Sequence, residues 1–271
     1  AGIKPIIGCE VYVARRGMED RVHGLDNDPY HLVLLCENNQ GYKNLCKLVS
    51  EAFLHGFYSK PRVDLALLEQ YHDGLIALSA CLAGAIPQYL MDESYDSAKA
   101  YALNLARIFG PEHFYLEMQD HGIEAQRMVN QGILRLARET GLPLVVTNDA
   151  HYLRKEDAAM QDVLLCVQTG KTVDDPNRMR FETEEFYLKS EREMAALFPN
   201  QPEALENTAN IAQRCNVEFV FHDYHLPAFP VPEGYTNEAF FRELCENGFK
   251  ERYENPPESY RQRLEYEIGV I

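Results

Sequence analysis

The chain has 271 residues, 46% of them hydrophobic, with 42 acidic against 26 basic side chains and a formal net charge of -16. That is enough apolar material for a real core, so intrinsic disorder is not the expectation. A surface this acidic argues against the segment being a main grip on DNA or RNA, because such affinity comes largely from neutralising phosphates. No apolar run approaches the length of a membrane span, and no basic-then-apolar leader opens the chain. Seven cysteines without paired spacing fit free thiols in a reducing compartment, so the expected location is the cytoplasm.

Taken in order, Pro5 to Val13 carries Val11, Tyr12 and Val13 and is expected to form a strand with Glu10 inside it or near its end. A polar, Gly-containing loop follows, and then His31-Leu32-Val33-Leu34-Leu35-Cys36 as a second buried strand. Leu45, Leu48, Val49 and Ala52 mark one face of a helix ending near Gly56. Asp64 is positioned to cap a short helix running to Tyr71. Leu75 to Ser79 is a short strand ending at Ala80-Cys81, with helices from Gly84 and from Ser97 to Phe109. Phe114 to Met118 is a strand, and Ile123 to Thr140 a long amphipathic helix closed by Gly141 and Pro143.

Leu144-Val145-Val146-Thr147 is an apolar, β-branched run that stops at Asn148-Asp149-Ala150-His151. This is the pattern of a buried parallel strand ending in a site. Glu156 to Val167 is expected to be helical. A capping box, Ser190 with Glu193, precedes a short helix, and Gln201 to Arg214 forms another. Repeated alternation of strand and helix predicts a largely parallel α/β sheet or barrel. Past Phe221 the character changes: residues 225–234 are Pro-rich and extended, and helices follow from Asn237 to Tyr253 and from Glu258. The expected organisation is one domain over residues 1–221 and a transition into a second over 222–271. Because the chain opens on a strand entry and closes inside a helix, it reads as a segment of a longer polypeptide.

The strand ends carry the chemistry. Glu10 sits in the first strand, His31 opens the second, Cys81 follows the third, and Asp149 and His151 follow the central one. Carboxylate, imidazole and thiolate are metal ligands, and the mixed set suits zinc or another first-row divalent ion. Singly, each has an ordinary structural reading, Glu10 as an exposed acid, His31 as a core or edge histidine, Cys81 as a small hydrophobe and Asp149 as a helix cap. Together they point to a polynuclear site for phosphate hydrolysis. His121, after a strand, is a candidate for lining it. Cys9, Cys36 and Cys46 fall at core positions, and His222 and His225 flank the boundary as structural or solvated residues. No phosphate-cradling Gly-rich loop, nucleophile elbow or CxxC pair is present.

Several of these stretches resemble a known family. Gly2 to Glu10, His31 to Leu35 with Gly41 to Leu45, and Gly74 to Gly84 look like the PHP (polymerase and histidinol phosphatase) domain of bacterial DNA polymerase III alpha subunits, the C-family replicative polymerases. So do Tyr115 to Gly122, Pro143 to His151 and Ala204 to Cys215, while Tyr224-His225-Leu226-Pro227 resembles the entry to the polymerase core.

The resemblance implies a distorted (β/α)7 barrel, here incomplete at its amino end and therefore open. It also implies a metal cluster whose ligands map onto Glu10, His31, Cys81, Asp149 and His151, the family's remaining ligands belonging to the first two strands. Zinc or manganese is implied at the PHP site, and magnesium for the polymerase core outside this chain. The implied activities are DNA-directed DNA synthesis in the parent and 3′–5′ exonucleolytic hydrolysis by the PHP domain. In some relatives the domain serves instead as a scaffold for a separate proofreading exonuclease subunit. DNA, reached mainly through other parts, and replisome subunits are the implied partners. A free-standing PHP phosphoesterase is disfavoured by the Pro-rich continuation.

Overall fold

The structure, a computed structural model, describes residues 2–224 and 226–271; Ala1 lies outside them, as does His225, placed above at the domain boundary. Seven strands form one sheet among the described residues: β1 (Gly8–Val13), β2 (Tyr30–Cys36), β3 (Phe57–Tyr58), β4 (Lys60–Val63), β5 (Leu75–Leu78), β6 (Phe114–Met118) and β7 (Leu144–Val146). Their order is β3-β4-β1-β2-β5-β6-β7, and the sheet is open rather than closed on itself. The helices of the main layer are α1 (Asn39–Leu54), α2 (Leu65–Gln70), α3 (Ala85–Met91), α4 (Tyr95–Phe109) and α5 (Glu124–Thr140). After β7 come α6 (Ala158–Thr169), α7 (Glu191–Leu197), α8 (Pro202–Arg214), α9 (Asn237–Arg252) and α10 (Glu258–Val270).

Local chemistry explains most boundaries. The Asn38 side chain accepts from the N–H groups of Gln40 and Gly41 at the start of α1, and Asp64 accepts from Leu67 N–H at the start of α2. Gly141 closes α5 in the left-handed conformation. The expected Ser190–Glu193 capping box is formed at α7.

The expectation of a largely parallel sheet needs one correction. β5, β6 and β7 are mutually parallel, but β2 is antiparallel to both β1 and β5. A β3–β4 hairpin, which the sequence reading passed over, adds two further strands, with β4 parallel to β1. The hairpin is short, contains Pro61 and has no apolar alternation to announce it. β2 can reverse because a loop of 16 residues, 14–29, leads into it instead of a crossover helix.

Alternation along β2 buries Tyr30, Leu32, Leu34 and Cys36 on one face and turns His31, Val33 and Leu35 to the other. The first face meets the main helical layer, where Leu34, Leu48, Leu68, Phe114 and Leu116 are fully buried. The second face carries a smaller core of Ile76, Leu78, Tyr115 and Val145 with Ile211 and Cys215 from α8 and its cap. Of the cysteines expected in the core, Cys36 is buried and Cys9 half-buried, but Cys46 is exposed on the solvent side of α1. The residues up to Phe219 form one compact unit and those from Val220 onward a second.

Candidate metal centre

The site lies on the second face of the sheet. Glu10 pairs across to Val33, and Val33 to Leu78, so these three side chains form a row over β1, β2 and β5. His31 is at the amino end of β2. Because β2 runs against its neighbours, that end coincides with the carboxyl ends of β1 and β5. Its N–H donates to Ala83 O at 3.0 Å, which ties β2 to the loop after β5. In that loop Gly84 sits where a Cβ would lie 2.2 Å from Ser79 O, so the tight return of the chain past Cys81 requires glycine.

Three of the five candidate ligands converge. His31 Nδ1 lies 3.1 Å from Glu10 Oε1 and 3.7 Å from Cys81 Sγ. The ligand atoms of Glu10, His31 and Cys81 all fall within 4.8 Å of one another. The hydrogen bonds to Cys81 and then Glu10 raise the His31 pKa to about 10 against the opposing effect of burial.

Asp149 and His151 form a second pair, with His151 Nε2 3.3 Å from Asp149 Oδ1. Burial disfavours the Asp149 carboxylate, but the His151 hydrogen bond and charge, with help from His121 and His31, outweigh it and bring its pKa below the ordinary value. The same bond raises His151. Asp149 has φ 44°, a left-handed conformation for a non-glycine residue, and Ala80, next to Cys81, has φ 64°. Such strain persists only where the surroundings enforce it.

Asp149 joins Glu10 and Cys81 around a cavity of about 210 Å³ that is also lined by Glu117, Gln119 and Thr147. His151 is outside that lining and rests against Phe181, with ring centroids 4.7 Å apart. His121 is buried, stacked on Phe186 at 4.0 Å, with Nε2 2.7 Å from Asn148 O and Nδ1 2.8 Å from Gln126 Nε2. Both its nitrogens are engaged, so it supports the loop leading to Asp149 rather than offering a ligand atom.

The residues fit a divalent cation. Carboxylate, imidazole and thiol converge on one point, and the cavity wall adds the Asp149 carboxylate. Two buried acceptors nearby, Gln119 Oε1 and Asn148 Oδ1, have no donor among the described residues.

Glu117 and Gln119 were not singled out as site residues from the sequence. The available signal was their period-2 placement after Tyr115, which puts a carboxylate and an amide on one face of an otherwise apolar strand. Burial pushes the Glu117 pKa up, while bonds from Thr147, Gln119 and Ala80 oppose it.

Residues 1–121, which carry β1 to β6 with Glu10, His31 and Cys81, match the PHP domain family. Over that stretch, less than half of its length, the chain is similar to PHP domains. Its similarity to DNA polymerase III alpha subunits runs further, through the whole sequence. It is 44% identical to DNA polymerase III subunit alpha of Treponema pallidum over 272 residues, covering 100% of this chain and 23% of the relative. The Borreliella burgdorferi subunit is 43% identical, covering 100% of this chain and 24% of the relative. That of Thermus aquaticus is 45% identical over 93% of this chain and 21% of the relative. The chain thus spans about a quarter of the length of the relatives it matches.

Proposed function

We propose that the chain is the PHP part of a bacterial replicative DNA polymerase alpha subunit and that it holds divalent metal ions, zinc or manganese, through Glu10, His31, Cys81, Asp149 and His151. The observation that carries this reading is the convergence of Glu10 Oε1, His31 Nδ1 and Cys81 Sγ within 4.8 Å. When bound, the ion supplies Lewis-acid polarisation of a phosphoryl oxygen. Glu10, His31 and Cys81 would hold it from one side, and the Asp149–His151 pair from the other. The proposed reaction is 3′–5′ exonucleolytic hydrolysis.

In the parent, template-directed DNA synthesis with magnesium belongs to segments outside this chain. DNA and other replisome subunits are the proposed partners and the cytoplasm the proposed location. No helix among the described residues is long and apolar enough to cross a membrane.

The second reading is a structural and docking module for a separate proofreading exonuclease subunit. It is favoured by one observation: Asp149 and His151 pair with each other, and only Glu10, His31 and Cys81 form a converged group among the described residues. A free-standing phosphoesterase is disfavoured, because the similarity to alpha subunits continues through residues 220–271.

Elemental analysis of the protein beside an Asp149→Asn/His151→Ala variant tests the first reading, followed by release of mononucleotides from a 3′-labelled DNA strand. Stoichiometric metal that falls in the variant, together with nucleotide release that vanishes, supports metal-dependent hydrolysis. Trace metal in both proteins leaves the docking module as the function.

A further inference from the structure

In this cavity both carboxylate oxygens of Glu117 are already committed. Oε2 accepts from Ala80 N–H at 2.9 Å. Oε1 accepts from Gln119 Nε2 at 3.1 Å and from the Thr147 hydroxyl. Gln119 Nε2 also lies 3.1 Å from Thr147 Oγ1, and the Glu117 N–H donates to Ser79 Oγ at 2.8 Å. The residue is 4% exposed. A carboxylate with three intramolecular donors has spent most of its accepting capacity and is built to hold its neighbours rather than to bind an ion.

What it holds is informative. Ala80 and Asp149 are the two left-handed non-glycine residues of the site loops. Ala80 is bonded to Glu117 directly and precedes Cys81. Thr147 is bonded to Glu117 and precedes Asp149 by two residues. One side chain on β6 therefore bridges the turn after β5 to the turn after β7.

We propose that Glu117 is the positioning residue of the centre: it fixes the spacing between Cys81 and the Asp149–His151 pair at which a divalent cation is held. This rests on the metal-binding reading above. Groups that orient metal ligands typically change affinity by about 10- to 100-fold when altered. A role confined to stability changes the melting temperature without changing the ion's surroundings in the folded protein.

Cobalt(II) serves as the probe on the full chain, read by thiolate-to-metal charge-transfer absorption and the visible ligand-field bands. Thermal melting is followed in parallel without metal. The variants are Glu117→Gln, Thr147→Val and Thr147→Ser. Asn44→Leu is the control, because Asn44 is a buried, hydrogen-bonded amide on α1 outside the cavity lining.

The expected result is a Co²⁺ dissociation constant raised about 10- to 100-fold in Glu117→Gln and Thr147→Val, with altered ligand-field bands. Thr147→Ser returns toward the parent, and Asn44→Leu lowers melting with parental affinity and spectrum. Parental affinity and bands in folded Glu117→Gln overturn the positioning role alone. If Glu117→Gln fails to fold, the Thr147→Val and Thr147→Ser pair decides in the same way. An unaltered chain that takes up no Co²⁺ overturns both this role and the metal-binding reading.

Discussion

Arg62 is fully buried on β4, and its guanidinium donates to four backbone carbonyls: Gly56 O at 3.1 Å, Asp26 O at 3.2 Å, and Met18 O and Asp20 O at 2.8 Å each. Three of these belong to the loop of residues 14–29 that leads into β2 and so to His31. The Asp26 carboxylate is taken by Arg16 at 2.6 Å, leaving the carbonyls as the guanidinium's hydrogen-bond partners. Arg62→Met preserves the bulk of the side chain and removes the fork. Hydrogen bonds to a charged group contribute about 1.5–3 kcal/mol each in isolation. They are not additive, and carbonyls of a surface loop regain water, so the net cost is about 3–5 kcal/mol, well below the sum of four full bonds.

For a chain of this size each kcal/mol lowers the melting temperature by about 2–4 °C, which gives a drop of roughly 6–20 °C. The loop contains Arg15, Arg16 and Arg21, so limited trypsin digestion reports its release directly. Arg62→Lys is expected to fail nearly as badly, because an ammonium cannot reach four divergent carbonyls at once. A melting temperature within 2 °C of the parent, with the loop still protected, would refute the account.

Gly41→Ala places a Cβ 1.8 Å from Gly74 O, a backbone atom that cannot step aside without moving the turn before β5. A loss of at least about 3 kcal/mol, or an insoluble product, is expected in denaturant unfolding. Asp64→Ala removes the cap of α2, an acceptance from Leu67 N–H at 2.9 Å, and also a bond from Met18 N–H at 3.1 Å. The unfolding free energy should fall by about 1–2 kcal/mol, and an unchanged value contradicts the capping role. Glu139 is held near a pKa of about 2 by Lys99 and Arg135. Its folded value is depressed, so its contribution is present above the ordinary carboxylate range near 4.3 and is lost as pH falls toward about 2. The melting-temperature gap between the parent and Glu139→Gln is therefore expected to narrow steadily below pH ~4, and a gap that stays constant contradicts the pairing.

Periodicity, caps and turn residues determined most elements of this chain from the sequence alone. The run from Phe114 to Met118 is a strand with the expected ends, and Gly141 stops α5 because only a left-handed residue can turn the chain there. The chemical character of Glu10, His31, Cys81, Asp149 and His151 was legible too, since acid, imidazole and thiol residues recurring at successive strand boundaries form a pattern that local structure does not require. Tertiary structure decided the rest. Which way β2 runs depends on pairing with β1 and β5, and no local propensity encodes it; yet that reversal is what brings His31 beside Cys81. Whether Cys46 faces core or solvent depended on how α1 is rolled against the sheet. Glu117 stands in an otherwise apolar strand, and it links two loops only because β5, β6 and β7 lie side by side in register. Local sequence sets the face on which a side chain emerges, but long-range strand pairing decides what that side chain meets.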